Sequence, residues 1–284
     1  MNGKPSFDVL LVEDDRVVQE AAARILRLEE LTVDRADDVS DAVARLRNAE
    51  HQVVLSDLML PGFSGFDLLD RLANDRPQVP AILITGYATI ENALRAFKHG
   101  AFDFLPKPFD VAELLGVVRR ALRCATQRWW NPAAPVRDLI AADGAAHPER
   151  LRFLGQHSWA RIDGGTAVFG VAESFPGLLG EIVGLRLPEP GEFLTQGLSF
   201  AEISTGDGSV HRVWAPLSGT VVESNVEIGN APDLVDRLPF SSGWLTRVVL
   251  SALEEQQDAL TVRTGTLAGP AAQSGGRKEK RWSS

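Results

Sequence analysis

Six residues in the first 110 of this chain have the types needed to receive a phosphoryl group. They are Glu13, Asp14, Asp57, Met59, Thr85 and Lys107. An aspartate such as Asp57 can attack an in-line phosphorus, provided that charge on the transferring oxygens is neutralised. Carboxylates gathered at one point repel by about 4 kcal/mol per close pair at an effective dielectric of 20. A hard divalent cation relieves that repulsion. Mg²⁺ prefers oxygen ligands and retains waters, so one or two carboxylates and a phosphate suit it. Glu13, Asp14 and Asp57 are its candidate ligands, with the Met59 backbone carbonyl as a further one. Lys107 supplies a fixed positive charge, and the Thr85 hydroxyl a donor to a phosphoryl oxygen.

These residues matter together only if the fold gathers them. Strand-like and helical patterns alternate from residue 7 to 127. Strands are expected at 7–12, 32–36, 53–56, 80–85 and 101–105, and helices at 16–29, 39–47, 66–74, 89–99 and 110–123. The apolar runs at 10–12, 53–55 and 82–84 suit strands buried on both faces. The predicted fold class is α/β, a doubly wound five-stranded parallel sheet. Ligands of such sheets bind beyond the carboxyl ends of the strands, and each candidate residue falls at one of those ends.

The stretches Leu10-Leu11-Val12-Glu13-Asp14-Asp15, Ser56-Asp57-Leu58-Met59-Leu60-Pro61-Gly62, Ile84-Thr85-Gly86-Tyr87-Ala88 and Phe104-Leu105-Pro106-Lys107-Pro108-Phe109 resemble the receiver domain of bacterial two-component response regulators. The resemblance covers residues 7–125, and residues 85–109 look most like receivers of the nitrogen-regulation class. It implies phosphoryl transfer from a sensor histidine kinase to Asp57. It also implies Mg²⁺ held by the Glu13–Asp14 pair, with Asp15 as the alternative acid, and a cis peptide between Lys107 and Pro108. Thr85 and Phe104 would form the family's threonine–aromatic switch, in which phosphoryl capture draws the Thr85 hydroxyl inward and lets Phe104 rotate. Homodimerisation on phosphorylation through the fourth-helix, fifth-strand face is a further implication.

Residues 127–148 contain Trp129-Trp130-Asn131-Pro132 and Pro135 amid Ala and Gly, and read as a linker. The two tryptophans suit the end of a docked helix or a partner anchor. Beyond them the pattern becomes short and Gly/Pro-punctuated. Strands are expected at 167–171, 181–187, 210–214, 220–224 and 244–250, and brief helices at 174–179 and 233–238. This predicts a second, mainly β barrel or sandwich domain over 149–260, after a first domain over 1–126 and before a disordered tail over 261–284.

An ordered series resembles the glycine cleavage H protein, a lipoyl-carrier barrel. It includes His157-Ser158-Trp159-Ala160-Arg161, Phe169-Gly170-Val171-Ala172-Glu173, Trp214-Ala215-Pro216-Leu217-Ser218-Gly219-Thr220-Val221 and Gly243-Trp244-Leu245. That family attaches lipoate to a lysine between residues matched here by Glu202 and Ala215. The chain reads Ile203-Ser204-Thr205-Gly206-Asp207-Gly208-Ser209-Val210 there, and its lysines are Lys4, Lys98, Lys107, Lys278 and Lys280. Neither Ser nor Asp forms the required amide, so no lipoate is expected. Gly206-Asp207-Gly208 reads as a flexible tip.

The remaining composition narrows the function. The 284 residues are 44% hydrophobic with a formal net charge of −9, which argues against a sequence-independent grip on DNA. Cys124 is the only cysteine, so no disulfide framework or cysteine-based metal site is expected. His147, His157 and His211 lack zinc-ligand spacing and read as surface or turn residues. No Walker-type G-x-x-x-x-G-K-[ST] occurs. With no signal peptide and no apolar run of the ~20 residues a membrane span needs, the expected location is cytoplasmic. The chain is read as a non-enzymatic response regulator whose barrel contacts a protein partner. Two alternatives are a phosphorylation-controlled carrier mimic docking on lipoate or glycine-cleavage enzymes, and transcriptional output through the basic 277–281 tail.

Overall fold

The computed structural model describes residues 4–87, 89–127, 150–172 and 175–261. The first body contains β1 (Ser6–Val12), α1 (Arg16–Leu28), β2 (Val33–Ala36), α2 (Val39–Asn48) and β3 (Glu50–Asp57). It continues through α3 (Gly65–Asp75), β4 (Ala81–Thr85), α4 (Ile90–Lys98), β5 (Asp103–Pro106) and α5 (Val111–Gln127). Its five strands are parallel in the order β2-β1-β3-β4-β5, as the alternating pattern predicts.

Local chemistry sets the helix starts. Asp15 accepts from the amides of Val17 and Val18, and Asp38 from that of Asp41. Asp110 and Glu113 cap α5 reciprocally, each carboxylate accepting from the other's amide. Strand alternation divides the core. Val9, Leu11, Val53, Leu55, Ile82 and Ile84 pack toward α1 and α5, while Leu10, Val12, Val54, Leu83 and Phe104 face the other side.

The second body is antiparallel. Its strands are β6 (Leu151–Leu154), β7 (Ser158–Asp163), β8 (Thr166–Val171), β9 (Ile182–Arg186), β10 (Phe193–Leu194), β11 (Ser199–Thr205), β12 (Val210–Trp214), β13 (Gly219–Ser224) and β14 (Thr246–Leu250). They form a six-stranded sheet, β10-β13-β14-β8-β7-β6, and a three-stranded sheet, β12-β11-β9. Short helices α6 (Glu227–Asn230), α7 (Leu234–Arg237) and α8 (Leu253–Gln256) join them. Strands β6, β7, β10 and β11 exceed the sequence expectation. Gly170 shows why one glycine of the second motif series is needed. It pairs across the sheet with Trp159, which is fully buried, and a Cβ there would lie 2.4 Å from the indole.

The two bodies share a core. Phe97 and Phe104 belong to the same buried cluster as Leu154, Phe175 and Trp214. Two histidines expected at the surface or in turns are buried, His157 at 1% exposure and His211 at 4%, although His157 does lie in a turn. Both lie at this junction, where His157 packs against Phe97 and Phe175, and His211 against Phe175. His147, Trp129 and Trp130 fall outside the described residues. Among the described residues no helix is long and apolar enough to cross a membrane.

Two measurements check this architecture. Gly170→Ala should destabilise the chain by about 1–3 kcal/mol through overpacking against Trp159, read as a lower denaturant midpoint. Burial pushes the His211 imidazole down to about 3. An unfolded chain takes up this proton near pH 6.5, whereas the folded chain resists it until far lower pH. Stability contributed by His211 is therefore present above about pH 6.5 and lost as pH falls below it, by up to about 1.4 kcal/mol per pH unit. Replacing His211 with Gln should flatten that dependence between pH 7 and 5.5.

Candidate functional site

Asp57 ends β3, Glu13 follows β1 and Lys107 follows β5, so the parallel order brings all three to the carboxyl edge of the sheet. Lys107 Nζ donates to Glu13 Oε2 at 2.8 Å and to Asp57 Oδ2 at 2.5 Å. The amide of Met59 donates to the other Asp57 oxygen at 2.9 Å. One Asp57 oxygen thus faces the cation while the other is fixed by backbone. The Lys107–Pro108 peptide is cis, as the motif implies.

Thr85 ends β4 and is fully buried. Its Oγ1 accepts from the Tyr87 amide at 3.0 Å, so its own hydrogen remains available for donation. Its carbonyl accepts from the Lys107 amide at 2.7 Å, tying β4 to the residue that pairs with Asp57. Asp15 is engaged as the α1 cap, which leaves the exposed Asp14 as the acid free to join Glu13.

Burial pushes the Glu13 carboxyl above its usual range, and the nearby Asp57 charge pushes the same way against the pull of Lys107. For Lys107, burial alone would lower the ammonium. Its bonds to Asp57 and Glu13 outweigh that and raise it, so the cation stays charged. Among the described residues no three His, Cys, Asp or Glu side chains form a group that could hold a metal ion, so Asp14 is not gathered with Glu13 and Asp57 as the sequence led one to expect. Glu13 and Asp57, both bonded to Lys107, are two convergent carboxylates, and such a pair suits a cation that keeps water and takes oxygen from its substrate, as Mg²⁺ does.

Phe104, the expected aromatic switch, is 2% exposed and meets the Trp214 indole edge-on at 6.3 Å between centroids. The neighbouring Asp103 makes an arrangement that sequence reading missed. Its Oδ1 accepts from the Phe104 amide at 2.7 Å, His157 Nε2 at 3.0 Å and Trp214 Nε1 at 3.2 Å. Its Oδ2 pairs with Arg120 of α5. Burial alone would raise this carboxyl, but His157 and Arg120 outweigh it and hold it well below the usual range. Asp103 and Arg120 lie 17 positions apart on a strand and a helix, a separation that gives no local pairing signal. The partners of Asp103 in the second body carry no local signal.

The presumed lipoyl hairpin also differs from expectation. Asp207 is held in place, since its Oδ1 accepts from Thr205 Oγ1 at 2.6 Å and the Ser209 amide at 3.2 Å. Its Oδ2 lies 3.2 Å from Arg123 and 3.8 Å from Arg119. The flexible tip is therefore an ordered contact with α5.

Comparisons with known proteins agree with both halves. A family model described as response regulator receiver domain matches residues 9–119, and one described as glycine cleavage H-protein matches residues 151–266. The glycine cleavage system H protein of Staphylococcus haemolyticus is 34% identical over 116 residues, 41% of this chain and 91% of that protein. The DNA-binding transcriptional regulator NtrC of Salmonella typhimurium is 34% identical over 159 residues, 54% of this chain but only 34% of that protein. The crystal structure of the receiver domain of NtrX from Brucella abortus is 34% identical, covering 40% of this chain and 98% of that one, with a TM-score of 0.39.

Lys107→Ala should slow phosphoryl uptake from a small phosphodonor by about 100-fold, measured by intact mass against time. Thr85→Ala should slow it less, because it removes a neutral donor.

Proposed function

We infer that this chain, which belongs to the response regulator receiver family through residues 9–119 and to the glycine cleavage H-protein family through residues 151–266, is a phosphorelay regulator that accepts its phosphoryl group on Asp57. The observation that carries this reading is the shared Lys107 bond to Asp57 and Glu13. It holds a nucleophilic carboxylate beside a permanent cation at the open edge of the sheet. We take the domain limits as 1–126 and 149–260, with the linker at 127–148 and the tail from 261.

The donor is a phosphohistidine on a sensor kinase. An Asp57 oxygen attacks phosphorus, the P–N bond breaks, and the leaving imidazole nitrogen keeps the bonding electrons and takes a proton. An acyl phosphate on Asp57 results. Glu13, Asp14, Asp57 and the Met59 carbonyl would hold Mg²⁺, which supplies positive charge to the phosphoryl oxygens when bound. Lys107 neutralises the remaining charge, and Thr85 donates its hydroxyl to one phosphoryl oxygen. Exposed Val17, Met59, Phe63 and Tyr87 follow the first, third and fourth strands and offer the donor an apolar rim.

The output is protein contact through a barrel without lipoate. The hairpin that carries lysine in H proteins has none here, and its tip is engaged by Arg119 and Arg123. A second reading, a carrier mimic that docks on lipoate-handling or glycine-cleavage enzymes, draws support from the barrel's 34% identity to an H protein over most of that protein's length.

Incubation with a small phosphodonor and Mg²⁺ should add one hydroxylamine-labile phosphoryl mass to wild type and none to Asp57→Asn. Lipoate with a lipoyl ligase should leave the mass unchanged. No gain with the phosphodonor would refute the acceptor role, and a lipoyl adduct would refute the unmodified barrel.

A further inference from the structure

The receiver resemblance implies homodimerisation through α4 and β5, but the barrel covers that face. A Cβ at Gly155 would lie 3.1 Å from Phe97 of α4, and Asp103 and Phe104 of β5 hold His157 and Trp214. A second copy that meets the chain in this arrangement needs another surface. The sheet β12-β11-β9 offers one. β12 packs on α5. β9 pairs with β11 along one edge, and among the described residues no strand pairs with its other edge. An open edge of this kind templates a further strand unless something prevents it. The four-residue α6 packs beside β9, yet Val183 is 57% exposed and the Arg186 side chain 82%.

β9 carries an irregularity that sets which side chains share a face. Arg186, Leu185 and Gly184 stand opposite Glu202, Ile203 and Ser204, but Ile182 stands opposite Thr205, so Val183 is an extra residue in the strand. Ile203 and Thr205 are buried, whereas Glu202 and Ser204 are half-buried. Leu185 and Ile182 therefore both face the core, against which both pack. Arg186 and Gly184 face outward. Glu181 and Val183 lie on that outer side too, since a Cβ at Gly206, next to the core-facing Thr205, would be 3.6 Å from the Glu181 carboxylate and 3.7 Å from Val183.

We propose that β9 is a homodimerisation edge, on which a second copy of this chain lays its own β9 antiparallel about a two-fold axis and joins two three-stranded sheets into one of six. Such an axis stands normal to the sheet and keeps core-facing side chains on the core side. Ile182 of one copy must then face Leu185 of the other. That register places Glu181 opposite Arg186 of the other copy, twice by symmetry, and Val183 opposite Gly184. A shift of one residue either way sets Ile182 against Arg186 or Gly184 and separates the charges. Gly184 presents no side chain where the strands cross, and a Cβ there would meet nothing closer than Ser204 at 3.8 Å. Bulges and charges commonly keep an edge single. Here the bulge brings Ile182 and Leu185 to one face, and the charges have opposite sign on either side of the centre, so both favour a second copy. The proposal is independent of the acceptor role argued above.

A five-residue edge buries less than the ~1,600 Å² of a standard interface, so the dimer depends on concentration. Sedimentation of the full chain without phosphodonor should show a reversible monomer–dimer equilibrium, the same in wild type and Asp57→Asn. Glu181→Arg and Arg186→Glu each make both cross-strand pairs like-charged and should weaken association by at least about tenfold. An equal mixture of these two variants restores both pairs and should dimerise with about wild-type affinity, a rescue that a merely structural role would not produce. Amide exchange at residues 181–186 should slow with concentration in wild type and in the mixture, but in neither variant alone. A monomer at every concentration would overturn the proposal, as would a dimer that both reversals leave intact or a loss that mixing does not rescue. A dimer seen only with phosphodonor and absent in Asp57→Asn would place the contact on the receiver, overturning the β9 edge while leaving the acceptor role standing.

Discussion

Asp103 places a carboxylate between two folded bodies, at 7% exposure, where an unpaired charge would be very costly. The structure meets that constraint with Arg120 from the receiver and with His157 and Trp214 from the barrel. Removing one partner of a buried pair while the other stays buried costs about 3–5 kcal/mol, so Asp103 and Arg120 must stay paired wherever the barrel covers them. The buried His157, the burial of Phe104 and the depth of Trp214 follow from this constraint. Arg120 is further enclosed by Phe175, with its guanidinium 4.0 Å from the ring centroid, a cation–π contact that adds to its pairing with Asp103.

The same four-residue strand serves both ends of the molecule. Asp103 begins β5 and faces the barrel, while Lys107 lies immediately after it and faces Asp57. A parallel sheet allows this, since its carboxyl edge gathers Glu13, Asp57 and Lys107 while its last strand packs on the barrel. The barrel has retained the H-protein framework, visible in the Trp159–Gly170 contact. At the hairpin an Asp tip gripped by two arginines stands where the family places a lysine.

Much of the receiver was legible in sequence because its signals are local. Apolar runs gave the buried strands, and the helices expected at 16–29, 39–47 and 110–123 form at Arg16–Leu28, Val39–Asn48 and Val111–Gln127. The convergence of Glu13, Asp57 and Lys107 followed from strand order alone. The second body was harder to read. β6 and β7 begin at the Arg-bearing Leu151-Arg152-Phe153-Leu154 and Ser158-Trp159-Ala160-Arg161 segments, whose polar residues hide the strand period. The histidines were misjudged for a different reason. Burial of His157 and His211 is created by the docking of one body on the other, and no window around either residue contains that information. The turn at Gly206-Asp207-Gly208 forms as expected, but its fixed position could not be read locally, since a partner of Asp207 lies 84 positions earlier, at Arg123.

The central claim is that Asp57, bonded to Lys107 at the carboxyl edge of the sheet, is the residue that accepts a phosphoryl group. It is tested most directly by borohydride reduction of the chain after incubation with a small phosphodonor and Mg²⁺, followed by peptide mass mapping, since reduction converts an aspartyl phosphate to homoserine. The account predicts homoserine at position 57 alone. Homoserine at another aspartate, or at none, would contradict it.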